Sequence, residues 1–235
     1  MRPEDQASDS EFEAFLRVGR LNRDQVHRIR VEKEEIPPIN LKDYSAIIAG
    51  GSPFDVSIPD YKKSIVQKRI EHFYEDLFKR IIKDDFPFLG ACSGMGLLGQ
   101  YCKTPISEKY SEGVGSVEVR VTEEGTKDYL LEGLPKKFNA LVGHKEACDE
   151  VPSGAVLLVS SEACPVQMFR LKKNIYATQF HPEADSEEFV LRVQIYKEFG
   201  YFPQEKAEKL IESLQNLNTP VPEEILRRFI NNYKS

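Results

Sequence analysis

The segment that most restricts the possible folds of this chain is a turn at residues 89–94, which read Leu-Gly-Ala-Cys-Ser-Gly. An apolar run at 86–88 precedes the turn, and a helix-like stretch covers 95–101 after it. A strand that passes through G-x-C-x-G into a helix has the layout of a nucleophile elbow, here with cysteine at the reactive position. The turn therefore predicts that a strand and a helix meet at Cys92.

The residue types in this turn suit a reactive thiol. Glycines at 90 and 94 allow a sharp turn and keep side chains away from the Cys92 sulfur. The following helix points its N-terminus at Cys92, and we expect its partial positive charge to favour the thiolate. The N–H of Ser93 would then point at the oxygen of a tetrahedral intermediate. A lone G-x-C-x-G is nevertheless a common turn, and a lone buried cysteine usually only packs.

A second segment supplies the groups that would activate a thiol. Residues 179–183 read Gln-Phe-His-Pro-Glu. If this segment is the end of a strand, the side chains of His181 and Glu183 lie on one face. The carboxylate could then orient the imidazole, which would take the thiol proton and later donate one to the leaving amine. Pro182 between them indicates that the strand ends here.

A third segment, residues 44–55, is a short apolar strand that ends in Gly50-Gly51-Ser52-Pro53. Because glycine lets the main chain approach a ligand closely, the loop can present the N–H of Gly51 to a bound oxyanion. Taken alone, the segment is an ordinary turn at the end of a strand.

The three segments, in this order, resemble the class I glutamine amidotransferase family, whose members carry a G-G-P loop, a G-x-C-x-G-x-Q elbow and a Q-F-H-P-E segment. The similarity covers residues 40–185. The segment 142–146, Val-Gly-His-Lys-Glu, and the helical tail look like stand-alone members that are often called GMP-synthase-like.

The resemblance implies a role for each matching residue. Cys92 would be the nucleophile, His181 the base and Glu183 the group that orients it. Gly51 and Ser93 would supply the N–H groups of the oxyanion hole. The resemblance implies a γ-glutamyl small molecule as substrate, and it implies no cofactor.

The same resemblance implies a three-layer α/β fold of the flavodoxin type, in which helices flank a mostly parallel sheet on both faces. We expect one domain over residues 1–235, with a helical extension over 186–235 packed on it. Alternating strand and helix signals in the first half favour this class independently. The strand-rich second half predicts an antiparallel section.

Two departures from the family pattern bear on function and fold. Gly96 stands where the family usually has a glutamine that helps to hold the amino-acid end of the substrate. The family's first hydrophobic strand is missing, because the chain enters a helix directly, with Ser8 and Glu11 as a plausible capping box ahead of Phe12. We expect the resulting slot to be filled, by an apolar segment upstream of Met1, by another segment or by a neighbouring protomer, or else closed by direct pairing of its two flanking strands.

Composition argues against several classes of function. The net charge is −6 with both signs mixed, and no basic stripe suggests nucleic acid. No apolar run of about 18 residues suggests a membrane span, and no secretory signal is visible. The four cysteines lack metal-ligand spacing, so we expect reduced thiols in a cytoplasmic protein and no metal site.

Periodicity predicts the remaining elements. Strands are predicted at 26–31, 43–50, 117–121, 140–142, 156–159, 166–171 and 175–180. Helices are predicted at 60–83, 187–199, 204–217 and 222–233. We interpret His144 as a hydrogen-bonded structural histidine rather than an active-site residue.

These observations favour hydrolysis of the γ-amide of glutamine, or of a related γ-glutamyl compound, through a thioester on Cys92. The sequence holds neither an S-G-G-x-D-S loop nor a G-x-x-x-x-G-K-[ST] loop, so a separate synthetase subunit would have to use the ammonia, unless the protein acts alone. The alternatives are a γ-glutamyl peptidase and a catalytically quiet binding or regulatory subunit. The sequence is also compatible with a homo-oligomer.

Overall fold

The computed structural model describes residues 1–33, 35–197, 204–215 and 217–234. The helices in this part of the chain are α1 (Asp5–Gly19), α2 (Ile65–Asp84), α3 (Ser93–Tyr101), α4 (Ser186–Tyr196), α5 (Ala207–Leu214) and α6 (Pro220–Tyr233). The strands are β1 (Ile47–Ala49), β2 (Phe88–Ala91), β3 (Ile106–Ser107), β4 (Glu112–Val121), β5 (Lys137–His144), β6 (Ala147–Cys148), β7 (Ala155–Ser160), β8 (Met168–Leu171) and β9 (Ile175–Thr178).

Seven strands form one sheet in the order β1-β2-β9-β8-β7-β4-β5. β1, β2 and β9 are parallel, and every other neighbouring pair in this sheet is antiparallel. The predicted α/β class is therefore confirmed, but the sheet is mixed rather than mostly parallel, since only the two pairs β1-β2 and β2-β9 are parallel. Its antiparallel part follows from short connections such as 172–174 between β8 and β9, because parallel neighbours need a long crossover. β3 and β6 form a separate antiparallel pair.

Helices cover both faces of the sheet, which gives three layers. Phe88 of β2 packs in one core cluster with residues of α2 and α3, such as Phe78 and Met95. The next residue, Leu89, packs in a second cluster with residues of α6, such as Phe229. Successive strand residues point to opposite faces, so each parallel strand contributes to both cores and is apolar throughout.

The C-terminal helices belong to this core, as their apolar stripes predicted. The inward residues of α6 are at most 6% exposed, namely Ile225, Leu226, Phe229 and Ile230. Leu214 of α5 is fully buried in a third cluster with α4. Residues 198, 199 and 216, which fall in predicted helices, lie outside the described residues, as do residues 200–203 between those helices. None of the helices in the described ranges is both long and apolar enough to cross a membrane.

Two predictions about the first 50 residues are wrong. Residues 26–30 have no regular structure and 31–33 form a turn, because no strand in the described chain pairs with them. Helix α1 begins at Asp5, so Ser8 and Glu11 lie inside it rather than at a capping box. Their side chains instead accept hydrogen bonds from arginines, Ser8 from Arg28 and Glu11 from Arg2.

The predicted slot is open in this structure. Among the described residues, β1 is the terminal strand of the sheet and pairs with β2 alone. A cavity of about 470 Å³ lies between β1 and residues 26–31, and we call it the β1 groove. The two flanking segments therefore do not close up by direct pairing.

Candidate active site

The predicted elbow is present where β2 meets α3. Cys92 lies between them with φ 52° and ψ −104°, a backbone conformation that is strained for a residue with a side chain. Its N–H donates to the carbonyl oxygen of Thr178 at the end of β9, at 2.7 Å. The neighbouring parallel strand thus helps to hold the strained turn in place.

The two glycines of the elbow are needed for close packing. A Cβ built on Gly90 would lie 2.7 Å from the backbone of Gly94. A Cβ built on Gly94 would lie 2.7 Å from the carbonyl oxygen of Ala49 in β1. Real Cβ atoms do not approach backbone so closely, and therefore these positions let α3 sit directly against β1 and β2.

The Cys92 thiol is protonated at rest. Cys92 is 9% exposed, and burial raises the pKa of its thiol to about 11, although the positive charges of Arg2 and Arg192 act in the opposite direction. Burial therefore outweighs the expected preference for thiolate. Attack by this sulfur requires that a neighbouring base remove its proton during the reaction.

His181 and Glu183 are brought together by a loop rather than by a strand. β9 ends at Thr178, so the expectation of one strand face was wrong. The N–H of His181 instead donates to the carbonyl oxygen of Leu141 in β5, at 3.0 Å. His181 Nδ1 lies 2.7 Å from Glu183 Oε1, and both side chains are buried. The predicted pair is therefore formed.

The third member of this cluster is Arg192 of α4, which sequence reasoning missed. Its Nη2 donates to Glu183 Oε1 at 2.9 Å and to Glu11 Oε1 at 3.4 Å, and its Nη1 lies 3.0 Å from His181 Nδ1. Its Nε also donates to Glu188 on the same helix. One buried guanidinium thus contacts three carboxylates and the imidazole.

The charges around the pair fix its protonation state. Burial tends to raise the pKa of Glu183, but His181 and Arg192 outweigh it, and the pKa is held well below its usual range. Burial lowers the pKa of His181, and Arg192 adds to that effect. At neutral pH the pair is therefore a carboxylate and a neutral imidazole. Nδ1 then carries the proton that it donates to Glu183, which leaves Nε2 free to accept one.

The two predicted oxyanion donors lie on neighbouring segments, Ser93 at the start of α3 and Gly51 in the loop after β1. Ser93 Oγ accepts from the N–H of Ser52 at 2.9 Å and donates to its carbonyl oxygen at 3.0 Å, which ties the elbow to the loop after β1. The N–H of Gly51 donates to Glu11 Oε1 at 3.2 Å. In this structure the Gly51 donor is therefore already occupied by a carboxylate from α1.

Cys92 is a lining residue of two small cavities. One, of about 40 Å³, is lined by residues that include Arg2, His181 and Arg192. The other, of about 20 Å³, is lined by residues that include Gly96 and Glu146.

Gly96, where the family usually has glutamine, opens into the second of these cavities. A Cβ built there would make only ordinary contacts, 3.6 Å from Val56 and 3.7 Å from the carboxylate of Glu146. Glu146 accepts hydrogen bonds from the N–H groups of Val56 at 2.6 Å and Ser57 at 2.8 Å. Asp55 lines the same cavity, and burial raises the pKa of both carboxyls.

His144 has the hydrogen bonds of a structural histidine, although it also lines this cavity. Its Nδ1 lies 3.0 Å from the carbonyl oxygen of Glu146, and its Nε2 lies 2.9 Å from Glu112 Oε2.

Two groups of side chains could offer ligand atoms to a metal ion. Glu112, His144 and Cys164 have such atoms within 4.8 Å of one another, as do Glu11, His181 and Glu183. In the latter group the guanidinium of Arg192 opposes a metal cation.

The residues that sequence reasoning missed were Arg2, Glu11, Glu188, Arg192 and Tyr196. Three of them, Glu188, Arg192 and Tyr196, are spaced four apart on α4 and share one helix face. That spacing, directly after the His-Pro-Glu segment, was the available signal. Arg2 and Glu11 gave no signal, because both reach the site from the opposite end of the chain.

The fold and the elbow define a three-layer α/β protein that carries a buried cysteine at the carboxyl ends of parallel strands. The family model described as glutamine amidotransferase class-I matches residues 9–195. The chain therefore belongs to the class I glutamine amidotransferase family.

Two similar sequences are both named as one subunit of a glutamine-hydrolyzing GMP synthase. The protein from Thermoplasma volcanium is 32% identical over 133 residues, which are 56% of this chain and 63% of that protein. The protein from Archaeoglobus fulgidus is 26% identical over 184 residues, which are 77% of this chain and 88% of that protein.

A solved structure has the same fold along the whole chain. The crystal structure of a glutamine amidotransferase from Thermotoga maritima has a TM-score of 0.77 to this protein at 18% identity. The match covers 100% of this chain and 96% of that one.

Proposed function

We propose that this protein hydrolyses the γ-amide bond of glutamine, or of a related γ-glutamyl compound, through a thioester on Cys92. The observation that carries the proposal is the buried pair of His181 Nδ1 and Glu183 Oε1 at 2.7 Å, with His181 lining the same cavity as Cys92 on its strained elbow. A protonated thiol, a neutral imidazole and an ionised carboxylate are resting states from which such a reaction can start by general-base activation of the thiol.

Each residue has one task in the reaction. As Sγ of Cys92 attacks the amide carbon, Nε2 of His181 takes the thiol proton and a tetrahedral oxyanion forms. The C–N bond then breaks, and His181 gives the proton to the departing ammonia or amine, which leaves a thioester. Water, deprotonated by His181, attacks the thioester carbon, the C–S bond breaks, and His181 returns the proton to Sγ of Cys92 as the carboxylic acid is released. Glu183 orients the imidazole and stabilises its protonated form.

The cavity at Gly96 supports a γ-glutamyl substrate. Asp55 and Glu146 place two carboxyls beside it, and an α-ammonium group is the complement of such a wall. Without the family's glutamine at position 96, less of the protein holds the amino-acid end of the substrate. An amide with a larger leaving group than ammonia therefore fits as well as glutamine does, which keeps the γ-glutamyl peptidase alternative open.

The names of the two relatives support a partner. Both are named as one subunit of a GMP synthase, and we propose that a separate synthetase subunit could receive ammonia from this chain. Hydrolysis without any partner would produce the same chemistry at Cys92.

One observation favours a second candidate, a catalytically quiet binding or regulatory subunit. The carboxylate of Glu11 accepts the Gly51 N–H that an oxyanion would need. If Glu11 stays there when substrate binds, one of the two proposed donors is lost, and loss of such a donor costs about 10²–10³-fold in kcat.

A release assay over a panel of γ-glutamyl compounds, including glutamine, separates these candidates. We expect ammonia or amine release from at least one compound, and loss of that release in Cys92→Ala. Cys102→Ala is the matched control and should retain activity, since Cys102 follows α3 at its far end. No release from any compound, with a folded protein, would support the quiet subunit instead.

A further inference from the structure

A buried polar cluster joins β4, β5 and the loop 161–167 between β7 and β8. Glu112 at the start of β4 and His144 at the end of β5 are paired in the antiparallel register, and a register shift follows between Glu112 and Gly115. Cys164 lies in the loop and is fully buried. Three separate segments thus bring a carboxylate, an imidazole and a thiol within 4.8 Å of one another. We call these three residues the Glu112 cluster.

His144 has the hydrogen-bond pattern of a metal-binding histidine. Its Nδ1 lies 3.0 Å from the carbonyl oxygen of Glu146, and because a carbonyl can only accept, Nδ1 carries a proton. Nε2 of the neutral ring then presents its lone pair to Glu112 Oε2 at 2.9 Å. Two acceptors therefore face each other, and this contact requires a cation, either a proton or a metal ion. Histidines that bind a metal through one ring nitrogen typically donate the other N–H to a carbonyl or carboxylate, as His144 does.

A proton on Nε2 would satisfy this contact but would leave buried oxygens without a partner. Glu112 is 7% exposed and Gln167 is fully buried, and within the described residues neither Glu112 Oε1 nor Gln167 Oε1 accepts a hydrogen bond. Gln167 Nε2 donates to Glu112 Oε2 at 2.6 Å, so both oxygens belong to one hydrogen-bonded pair. Buried polar atoms without partners are costly. A metal ion supplies the missing partner for the carboxylate, while Gln167 holds its orientation.

The dimensions and charge of the Glu112 cluster fit zinc. Because the three ligand atoms are at most 4.8 Å apart, a point between them lies within about 2.8 Å of each, and zinc binds such atoms at about 2.0–2.3 Å. Side-chain shifts of less than about 1 Å close this difference. An ionised Glu112 and a Cys164 thiolate together balance the charge of Zn²⁺. The buried site would therefore carry no net charge, which limits the cost of its burial.

We propose that Glu112, His144 and Cys164 bind one structural Zn²⁺ ion, which ties β4 and β5 to the loop 161–167. The ligand atoms are one carboxylate oxygen, Nε2 and Sγ, and a neutral oxygen completes the tetrahedron. Burial raises the pKa of the Cys164 thiol to about 12, so the metal-free thiol is protonated, and binding releases that proton to solvent. The cysteine spacing predicted no metal site, because this cluster uses a single cysteine and two residues from other strands.

Titration of the metal-free protein with Co²⁺ tests this proposal. Cobalt substitutes for zinc and, unlike zinc, gives a strong charge-transfer absorption when a thiolate binds it. The full chain is stripped with a chelator and kept reduced with a phosphine, so that no added thiol competes for the metal. We expect the absorption to saturate at one cobalt per chain and to disappear when Zn²⁺ is added. A folded parent protein without saturable absorption would overturn the proposal.

Four variants locate the bound metal, and circular dichroism checks that each is folded. Cys164→Ser should abolish the absorption, and Glu112→Gln should weaken cobalt affinity at least about tenfold, since loss of even an outer partner typically costs that much. Cys92→Ala and Cys102→Ala are the controls and should bind cobalt as the parent does.

Thermal unfolding gives a second readout of the same site. Zn²⁺ should raise the unfolding midpoint of the parent and of both controls, but not that of Cys164→Ser. Absorption that survives in Cys164→Ser, or that is lost in Cys92→Ala, would overturn the proposal. If Cys164→Ser does not fold, an unchanged cobalt affinity in Glu112→Gln would overturn it instead.

Discussion

β1 borders two regions that are stabilised in different ways. Beyond its carboxyl end lies the Cys92 site, where buried charges are paired with one another, as Arg192 is with Glu11 and Glu183. Along its outer edge lies the β1 groove, which is lined in part by partly buried side chains such as Phe73 of α2 and Tyr233 of α6. The site depends on specific hydrogen bonds, whereas the groove walls depend on apolar packing that is incomplete.

The difference predicts where substitutions are costly. Removing one member of a buried ionic cluster leaves its partners as uncompensated charges, and removing a fully packed side chain leaves a cavity. A side chain in the groove wall has fewer contacts to lose. Function should therefore be most sensitive at the site, and stability least sensitive along the groove.

The largest effect is expected at His181. Because His181→Ala removes the group that carries the proton, kcat/KM for the preferred γ-glutamyl compound should fall about 10²–10⁴-fold. Steady-state kinetics measures the loss, and thermal unfolding controls for the integrity of the variant. Activity within a fewfold of the parent, in a folded protein, would remove His181 from the reaction.

Two phenylalanines of α2 compare the core with the groove directly. Phe78 is fully buried against the ring of Phe88, with centroids 5.2 Å apart, while Phe73 is partly buried and lines the groove. Phe78→Ala should lower the free energy of unfolding by about 3–5 kcal/mol, and Phe73→Ala by less than half as much. Urea unfolding of both variants and the parent measures the two losses in the free energy of unfolding. Equal losses would show that the groove is packed as tightly as the core.

A smaller loss of activity is expected at Glu183. Glu183→Ala leaves the imidazole in place and removes the group that orients it and stabilises its protonated form, so kcat/KM should fall, but less than in His181→Ala. Assaying the two variants side by side gives the ratio. A loss as large as that of His181→Ala would mean that the carboxylate is needed for more than orientation.

The smallest effect concerns the pH dependence of stability at Glu188. Burial raises the pKa of this carboxyl to about 7, from an ordinary value of 4.5. The folded state therefore binds more protons between these values, and this group stabilises the fold at low pH and loses that contribution as the pH rises. Glu188→Gln, which stays neutral, should be more stable relative to the parent at pH 8 than at pH 5. An equal difference at both pH values would contradict the assigned pKa.

The local parts of both regions were predictable from sequence. The elbow at Cys92 and the His181–Glu183 segment are short motifs that can be recognised from the sequence, although backbone hydrogen bonds to Thr178 and Leu141 hold them in place. Arg192, Glu11 and Arg2 were not predictable, because contacts between residues from opposite ends of the chain exist only after folding.

The β1 groove is a second feature that could be predicted from the sequence only in part. Residues 26–31 have the pattern of a strand, yet a strand requires a partner, and the described chain offers none beside them. The expected slot was inferred from the resemblance to the family, whose first strand the sequence lacks. That the slot lies between α2 and α6 could be seen only in the structure.

The most direct measurement is the intact mass of the protein after reaction with an electrophilic analogue of glutamine. Attack by one activated thiol predicts a single adduct that peptide mapping assigns to Cys92. Cys92→Ala should give no adduct, whereas Cys102→Ala, Cys148→Ala and Cys164→Ala should label as the parent does. Labelling that persists in Cys92→Ala would contradict the proposed nucleophile and, with it, the thioester route.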